Sequence, residues 1–132
     1  MNFLELSIQG NVLVDEAAAI SIVLPGRFKA ALQNYKHKKV VLGIRPEGLR
    51  PTASSLASTT AAAHFIVDVV QHLGHEVLLD ASAGALRIVA RVSPADVCAV
   101  GERRPFMLDM TQAHLFDAET DVNLTLGKKF GE

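Results

Sequence analysis

Short apolar runs, each closed by glycine, proline or a small polar cluster, recur from Phe3 to Phe116. Runs of roughly 4–8 residues fit half-buried strands and leave no room for long helices. Phe3 to Val14 alternates through Leu4, Leu6 and Ile8, turns at Gly10-Asn11 and continues as Val12-Leu13-Val14, which predicts a hairpin. Ala19 to Leu24 is a strand closed by Pro25-Gly26. Val40 to Ile44 reads as a buried strand ended by Pro46, because proline cannot donate to a ladder. Phe65–Val70, Glu76–Ala81, Leu86–Val92, Phe106–Met110 and Ala113–Phe116 supply five more strands, with turns at Leu73-Gly74-His75 and Ala83-Gly84. In Leu86–Val92 the period of two places Arg87 and Arg91 outward and Ile88, Ala90 and Val92 inward.

Only two segments read as helical. Phe28, Leu32 and Tyr35 fall at i, i+4 and i+7, which predicts an amphipathic helix over Arg27–Tyr35. Lys36, Lys38 and Lys39 complement its C-terminal dipole. Ser93-Pro94-Ala95-Asp96 is a capped turn or a single helical turn, with proline at the favoured first position. Residues 51–63 are small and polar without periodicity and read as a flexible surface loop, and the tail from Gly127 as frayed. The expected fold class is mainly β: OB-fold-like small β-barrels with one or two short helices.

The 132 residues fit one compact domain or two small lobes sharing a core, enough to need neither disulfides nor a metal. A single cysteine, Cys98, cannot close an internal bridge and suits a reducing cytoplasm. No apolar run approaches the roughly 20 residues of a membrane span, and the first residues lack the basic start of a signal peptide. The expectation is a soluble intracellular chain.

The net charge of −1 conceals an uneven distribution. Residues 27–50 set Arg27, Lys29, Lys36, Lys38, Lys39, Arg45 and Arg50 against Glu47 alone, a balance of +6. Residues 96–121 set Asp96, Glu102, Asp109, Asp117, Glu119 and Asp121 against Arg103 and Arg104, a balance of −4. Such segments either solvate two surfaces of opposite sign or face separate partners. Nucleic acid is disfavoured, because a single-strand binder needs exposed aromatic faces, and most of the seven aromatics sit in apolar runs.

Catalytic patterns are missing. Gly127-Lys128-Lys129 lacks the serine or threonine of a P-loop, and Val122 stands where its first glycine belongs. No Gly-x-Ser-x-Gly elbow occurs. Cys98 lies in an apolar context that suits packing rather than a nucleophile. His64, His72 and His75 lack a fourth zinc ligand, so no metal is expected.

Four stretches in register carry a family resemblance: Val41-Leu42-Gly43-Ile44-Arg45-Pro46-Glu47, Val70-Gln71-His72-Leu73-Gly74-His75-Glu76, Val92-Ser93-Pro94-Ala95-Asp96 and Ala113-His114-Leu115-Phe116-Asp117. Together they resemble the C-terminal regulatory region of ABC importer ATPases of the maltose and glycerol-3-phosphate type, the transport-associated OB, or TOBE, domain. Met1-Asn2-Phe3-Leu4 resembles the stretch just after the ATPase domain in those proteins. The resemblance implies one TOBE/OB-like domain over 1–132, with two interleaved lobes at about 1–50 and 64–126 joined by the loop at 51–63, and no ATPase domain.

That family implies a non-catalytic regulatory and dimerisation role, cytoplasmic and peripheral to the membrane. ATP and Mg would bind the missing ATPase domain, and this domain would hold no cofactor. Implied partners are its own ATPase domain, a second copy of the chain, the permease subunits indirectly, and a regulatory protein or small ligand. The alternative is a small-ligand module for an oxyanion or sugar, with Arg45 as a contact. Candidate ligand or interface contacts are Arg45, Glu47, His72, Glu76, Asp96 and Asp117. Gly43, Pro46, Gly74, Pro94 and Phe116 are structural, with Leu115 and Phe116 in the core. Arg45 and Glu47 form either a structural pair or a contact with a partner. Gly48 stands where the family tends to carry a histidine, and the loop at 51–63 is longer than expected.

Overall fold

The computed structural model describes residues 1–15, 20–51 and 61–125. Strands β1 (Asn2–Gln9), β2 (Val12–Asp15) and β3 (Ile20–Val23) form an antiparallel meander. Strands β4 (Lys39–Ile44) and β10 (His114–Asp117) complete a five-stranded sheet in the order β10-β4-β1-β2-β3. The second sheet holds β5 (Leu49–Pro51), β6 (Ala61–Leu73), β7 (Glu76–Ala83), β8 (Leu86–Val92) and β9 (Arg103–Leu108), in the order β5-β9-β6-β7-β8. Every pairing is antiparallel, and the fold is mainly β as expected.

Alternation decides the faces. Asn2, Leu4 and Leu6 of β1 point inward while Met1, Phe3 and Glu5 point outward. In β8, Ile88, Ala90 and Val92 are buried and Arg87 and Arg91 exposed, as the period of two predicts. The core joins Leu4, Leu42 and Leu115 of the first sheet with Val67, Leu79 and Ile88 of the second. Phe65 and Phe106 pack edge to face within it, with ring centroids 5.8 Å apart. Burial of each such side chain stabilises by about 1.5–3 kcal/mol.

Among the described residues the one α-helix, α1 (Gly26–Ala31), is shorter than the expected Arg27–Tyr35. Beyond Ala31 the chain tightens, with Gln33 N–H donating to Ala30 O and Tyr35 N–H to Leu32 O. Past this break the Tyr35 hydroxyl donates to Lys39 O at 2.6 Å and accepts from Ala118 N–H at 3.2 Å, contacts that hold the turned segment in place. Phe28 remains buried, and Leu32 and Tyr35 pack partly against the core.

The expected loop over 51–63 is also cut back. Pro51 closes β5, and residues 61–63 open β6 by pairing with Leu108, Met107 and Phe106 of β9. Backbone pairing serves any side chain, so an alanine run carries little strand signal. Residues 52–60, Ala19 and the tail from Gly127 lie outside the described residues. Strand β9 begins at Arg103 rather than Phe106, because Arg103 and Arg104 pair with Ile66 and Phe65. At the β6–β7 turn Gly74 has φ of +67°, a conformation glycine adopts without the clash a Cβ brings.

The polar side chain of Asn2 joins the sheets. Asn2, 8% exposed, donates from Nδ2 to Val89 O at 2.9 Å and accepts at Oδ1 from Val89 N–H at 2.8 Å. Replacing Asn2 with alanine leaves both Val89 groups unpaired and should lower unfolding free energy by about 2–3 kcal/mol. Urea unfolding with an unchanged m value checks this. A loss within experimental scatter of zero would mean that water replaces the amide.

Candidate functional site

Each of the four resembling stretches ends in a distinct local structure. After β4, Arg45 is extended and Pro46 opens a 3-10 turn, Pro46–Gly48, closed by Gly48 N–H donating to Arg45 O at 2.9 Å. That turn separates Arg45 from Glu47; none of the ion pairs among the described residues joins them, and both are exposed. At Gly48 a Cβ would stand 3.0 Å from Ile44 Cγ1, so the backbone packs closely there.

Asp96 closes a second 3-10 turn, Pro94–Asp96, and its Oδ2 meets Arg50 Nη2 of β5 at 3.3 Å and Ser93 Oγ at 3.5 Å. Glu76 pairs with Arg91 across β7 and β8 at 3.5 Å. Both pairs are partly exposed, where such contacts contribute about 0–1 kcal/mol. His72 lies exposed near the β6–β7 turn, opposite Val77. His64 and His75 are exposed as well, and among the described residues no three His, Cys, Asp or Glu side chains cluster to hold a metal.

Asp117 serves a turn. Its Oδ1 accepts from Glu119 N–H at 2.8 Å and Thr120 N–H at 3.1 Å, and the Glu119 bond is the main reason its carboxyl lies below the usual range. Cys98 is buried, and that burial pushes its thiol up, which disfavours the nucleophilic thiolate.

Two of the four stretches meet on the outer face of the first sheet. Phe3 of β1, Gly43 of β4 and His114 of β10 stand side by side in register. Phe116, two residues on, is half-buried instead of lying in the core beside the fully buried Leu115. Edge strand β10 turns Leu115 inward, and the period of two sends Phe116 out. Its ring lies over Gly43: a Cβ there would be 2.6 Å from Phe116 Cε2 and 2.9 Å from Met1 Sδ. Phe3 packs edge to face on Phe116 with centroids 5.8 Å apart, yet Phe3 remains 59% exposed and Met1 48%.

This aromatic face over a glycine is the candidate site. His114 borders it, with Nδ1 3.0 Å from Thr125 Oγ1. Burial, then the nearby charges of Arg27 and Arg45, hold its pKa below the ordinary 6.5. Arg27 also donates to the carbonyls of Met110 and Ala113, fixing α1 against the segment that leads into β10. Sequence reasoning missed this role of Arg27, because its partners lie 83 and 86 residues away and no local pattern marks them.

Two outcomes follow from these contacts. Gly43→Ala should cost about 1–3 kcal/mol by overpacking against Phe116, and Gly43→Ala/Phe116→Ala should recover part of it relative to the single changes. Equal additive losses in a double-mutant cycle would rule out the contact as the cause. His114 binds its proton more weakly folded than unfolded, so its contribution to stability is present above about pH 6.5 and is lost as pH falls through its folded pKa. Melting curves across pH 4–8 should show that loss in the native chain and a flatter profile in His114→Gln; identical profiles would remove His114 as the source.

The chain can be compared with known proteins on this basis. The family model for the MalK OB fold domain matches residues 1–49, and that for the TOBE domain matches residues 42–116. The chain is 32% identical over 124 residues to the uncharacterized ABC transporter ATP-binding protein YcjV of Escherichia coli, covering 92% of this chain and 33% of that protein. It is 31% identical over 126 residues to the multiple sugar-binding transport ATP-binding protein MsmK of Streptococcus mutans, with coverage of 92% and 33%. A further relative, the sulfoquinovosyl glycerol transport ATP-binding protein SmoE of Agrobacterium fabrum, is 30% identical over 127 residues, with coverage of 94% and 33%. The chain thus spans about a third of the length of the curated relatives it matches. Its OB half carries β1 to β4 and its TOBE half carries the Gly43, Asp96 and Phe116 stretches, and the chain belongs to the TOBE domain family, with a MalK-type OB fold at its start.

Proposed function

We propose that this chain is the non-catalytic regulatory and dimerisation domain of the ATP-binding subunit of an ABC sugar importer. ATP and Mg would bind another part of that subunit, and the domain would act in the cytoplasm, beside the membrane-bound permease. The relatives named for sugar or sulfoquinovosyl glycerol transport support the importer class. The observation that carries the dimerisation role is the outer face of β1, β4 and β10. Met1 and Phe3 are about half exposed there, on a sheet whose backbone is already paired through β4 and β2. An apolar patch on a sheet face, away from the strand edges, offers side-chain contact and marks an interaction surface.

A second copy of the chain is the partner assigned to this face. Such an interface would place Phe3 and Phe116 against their equivalents, with the Glu5–Lys39 pair at 3.5 Å on the rim. Sedimentation velocity over a concentration series should give a mass above the monomer for the native chain. Phe3→Glu introduces a charge at an exposed position and removes the contact with Phe116, so it should lower the melting temperature by a few degrees and leave the chain folded while abolishing association. A native chain that stays monomeric throughout the series, or a Phe3→Glu variant that associates equally well, would refute the dimer.

A further inference from the structure

The basic segment contains a cleft that the preceding function leaves unused. It has a volume of about 360 Å³ and lies between the β1–β2 turn and the segment running from α1 to β4. Two backbone bonds set its shape. Leu24 N–H donates to Asn11 O at 2.8 Å, tying the approach to α1 to the β1–β2 turn, and Ile8 N–H donates to Lys38 O at 2.8 Å, tying the far end to β1. The volume lies at the lower end of the roughly 300–1,000 Å³ common for small-molecule sites.

Its lining divides by chemistry. Ile8, Leu24 and Leu32 line it as apolar residues, and the exposed Lys29 and Lys38 line it as cationic ones. Lys39, the neighbouring ammonium, pairs with Glu5 at 3.5 Å, and the His37 ring lies 3.7 Å from Glu119. Neither Lys29 nor Lys38 joins an ion pair among the described residues. The Tyr35 hydroxyl is committed to Lys39 O and Ala118 N–H, so it shapes the wall without being available to a ligand as a donor. Two uncompensated positive charges beside an apolar floor match an anion of about two negative charges with an apolar body. A phosphate monoester carries about −1.5 to −2 near neutral pH.

We propose that this cleft binds an organic phosphate monoester, with the phosphate between Lys29 and Lys38 and the organic body on Ile8, Leu24 and Leu32. A simple oxyanion would meet the charges but leave the apolar floor uncovered, and a neutral sugar would leave both ammonium groups without a partner. The site is separate from Arg45, the contact considered for the small-ligand reading, and from the aromatic face of β1, β4 and β10.

Phenyl phosphate is the probe, titrated into the ¹⁵N-labelled chain at constant ionic strength and followed by amide chemical shifts. The site predicts saturable shifts concentrated at residues 8–11 and 29–38. Inorganic phosphate should perturb the same residues more weakly, phenol should bind much more weakly still, and sodium chloride should have no saturable effect. Lys29→Gln/Lys38→Gln should weaken phenyl phosphate binding about tenfold or more, as expected when two charge-assisted contacts are lost. Both lysines are exposed, so an unchanged melting temperature should accompany that loss. No saturable shift at millimolar probe, shifts centred elsewhere, equal binding of phenol, or unaltered binding by the double variant would each overturn the proposal. The readout requires neither a dimer nor an ATPase domain, so its failure is distinct from failure of the importer reading.

Discussion

The side chain of Asn2 behaves as a short piece of strand. Its amide offers one donor and one acceptor, and both are used on the main chain of Val89. Strand β8 is an edge of the second sheet, and β1 lies inside the first, between β4 and β2. The two bonds thus fasten an open edge to a central strand without requiring the sheets to merge. Strand β1 pairs with β4, and β4 with β10, so the clamp ties the sheet that carries the outer face to the second sheet. Arg27 supplies a second tie through the carbonyls of Met110 and Ala113 just before β10.

Within that frame Gly43 determines what the outer face looks like. Any larger residue would push Phe116 and Met1 away from β4. With glycine there, Phe116 lies flat enough over the sheet for Phe3 to meet it edge to face. The arrangement leaves apolar surface facing water, a cost to the isolated chain that a second copy would relieve in the proposed dimer. On the opposite side of the domain's chemistry, Lys29 and Lys38 leave charge uncompensated beside apolar surface. The two features concern different side chains and different forces, so binding at one need not involve the other.

Much of this architecture was legible in the sequence. Arg87 and Arg91 bracketing Ile88 announce both the strand and its buried face, because a two-residue period has only one solution against a core. Gly74 signals its turn in the same local way. The limits are equally physical. Phe28, Leu32 and Tyr35 fall at helical spacing, yet the helix stops at Ala31 and the Tyr35 hydroxyl bonds to Lys39 and Ala118 beyond it. The run Leu115-Phe116 is apolar throughout, so it cannot disclose that one residue is buried and the next lies on an uncovered face. Asn2 and Arg27 find their partners more than 80 residues away, beyond the reach of any periodicity. The family resemblance singled out Gly43 as structural, while the reason, the ring of Phe116, belongs to the packing.

The most direct measurement of the central claim is hydroxyl-radical footprinting of the chain across a range of concentrations. Association through the proposed face predicts falling labelling at Met1, Phe3 and Phe116 as concentration rises. Val100, which is 65% exposed and precedes β9 of the second sheet, should label equally at every concentration. Protection that appears at Val100 instead, or labelling of Phe3 and Phe116 that does not change as the chain associates, would contradict the account.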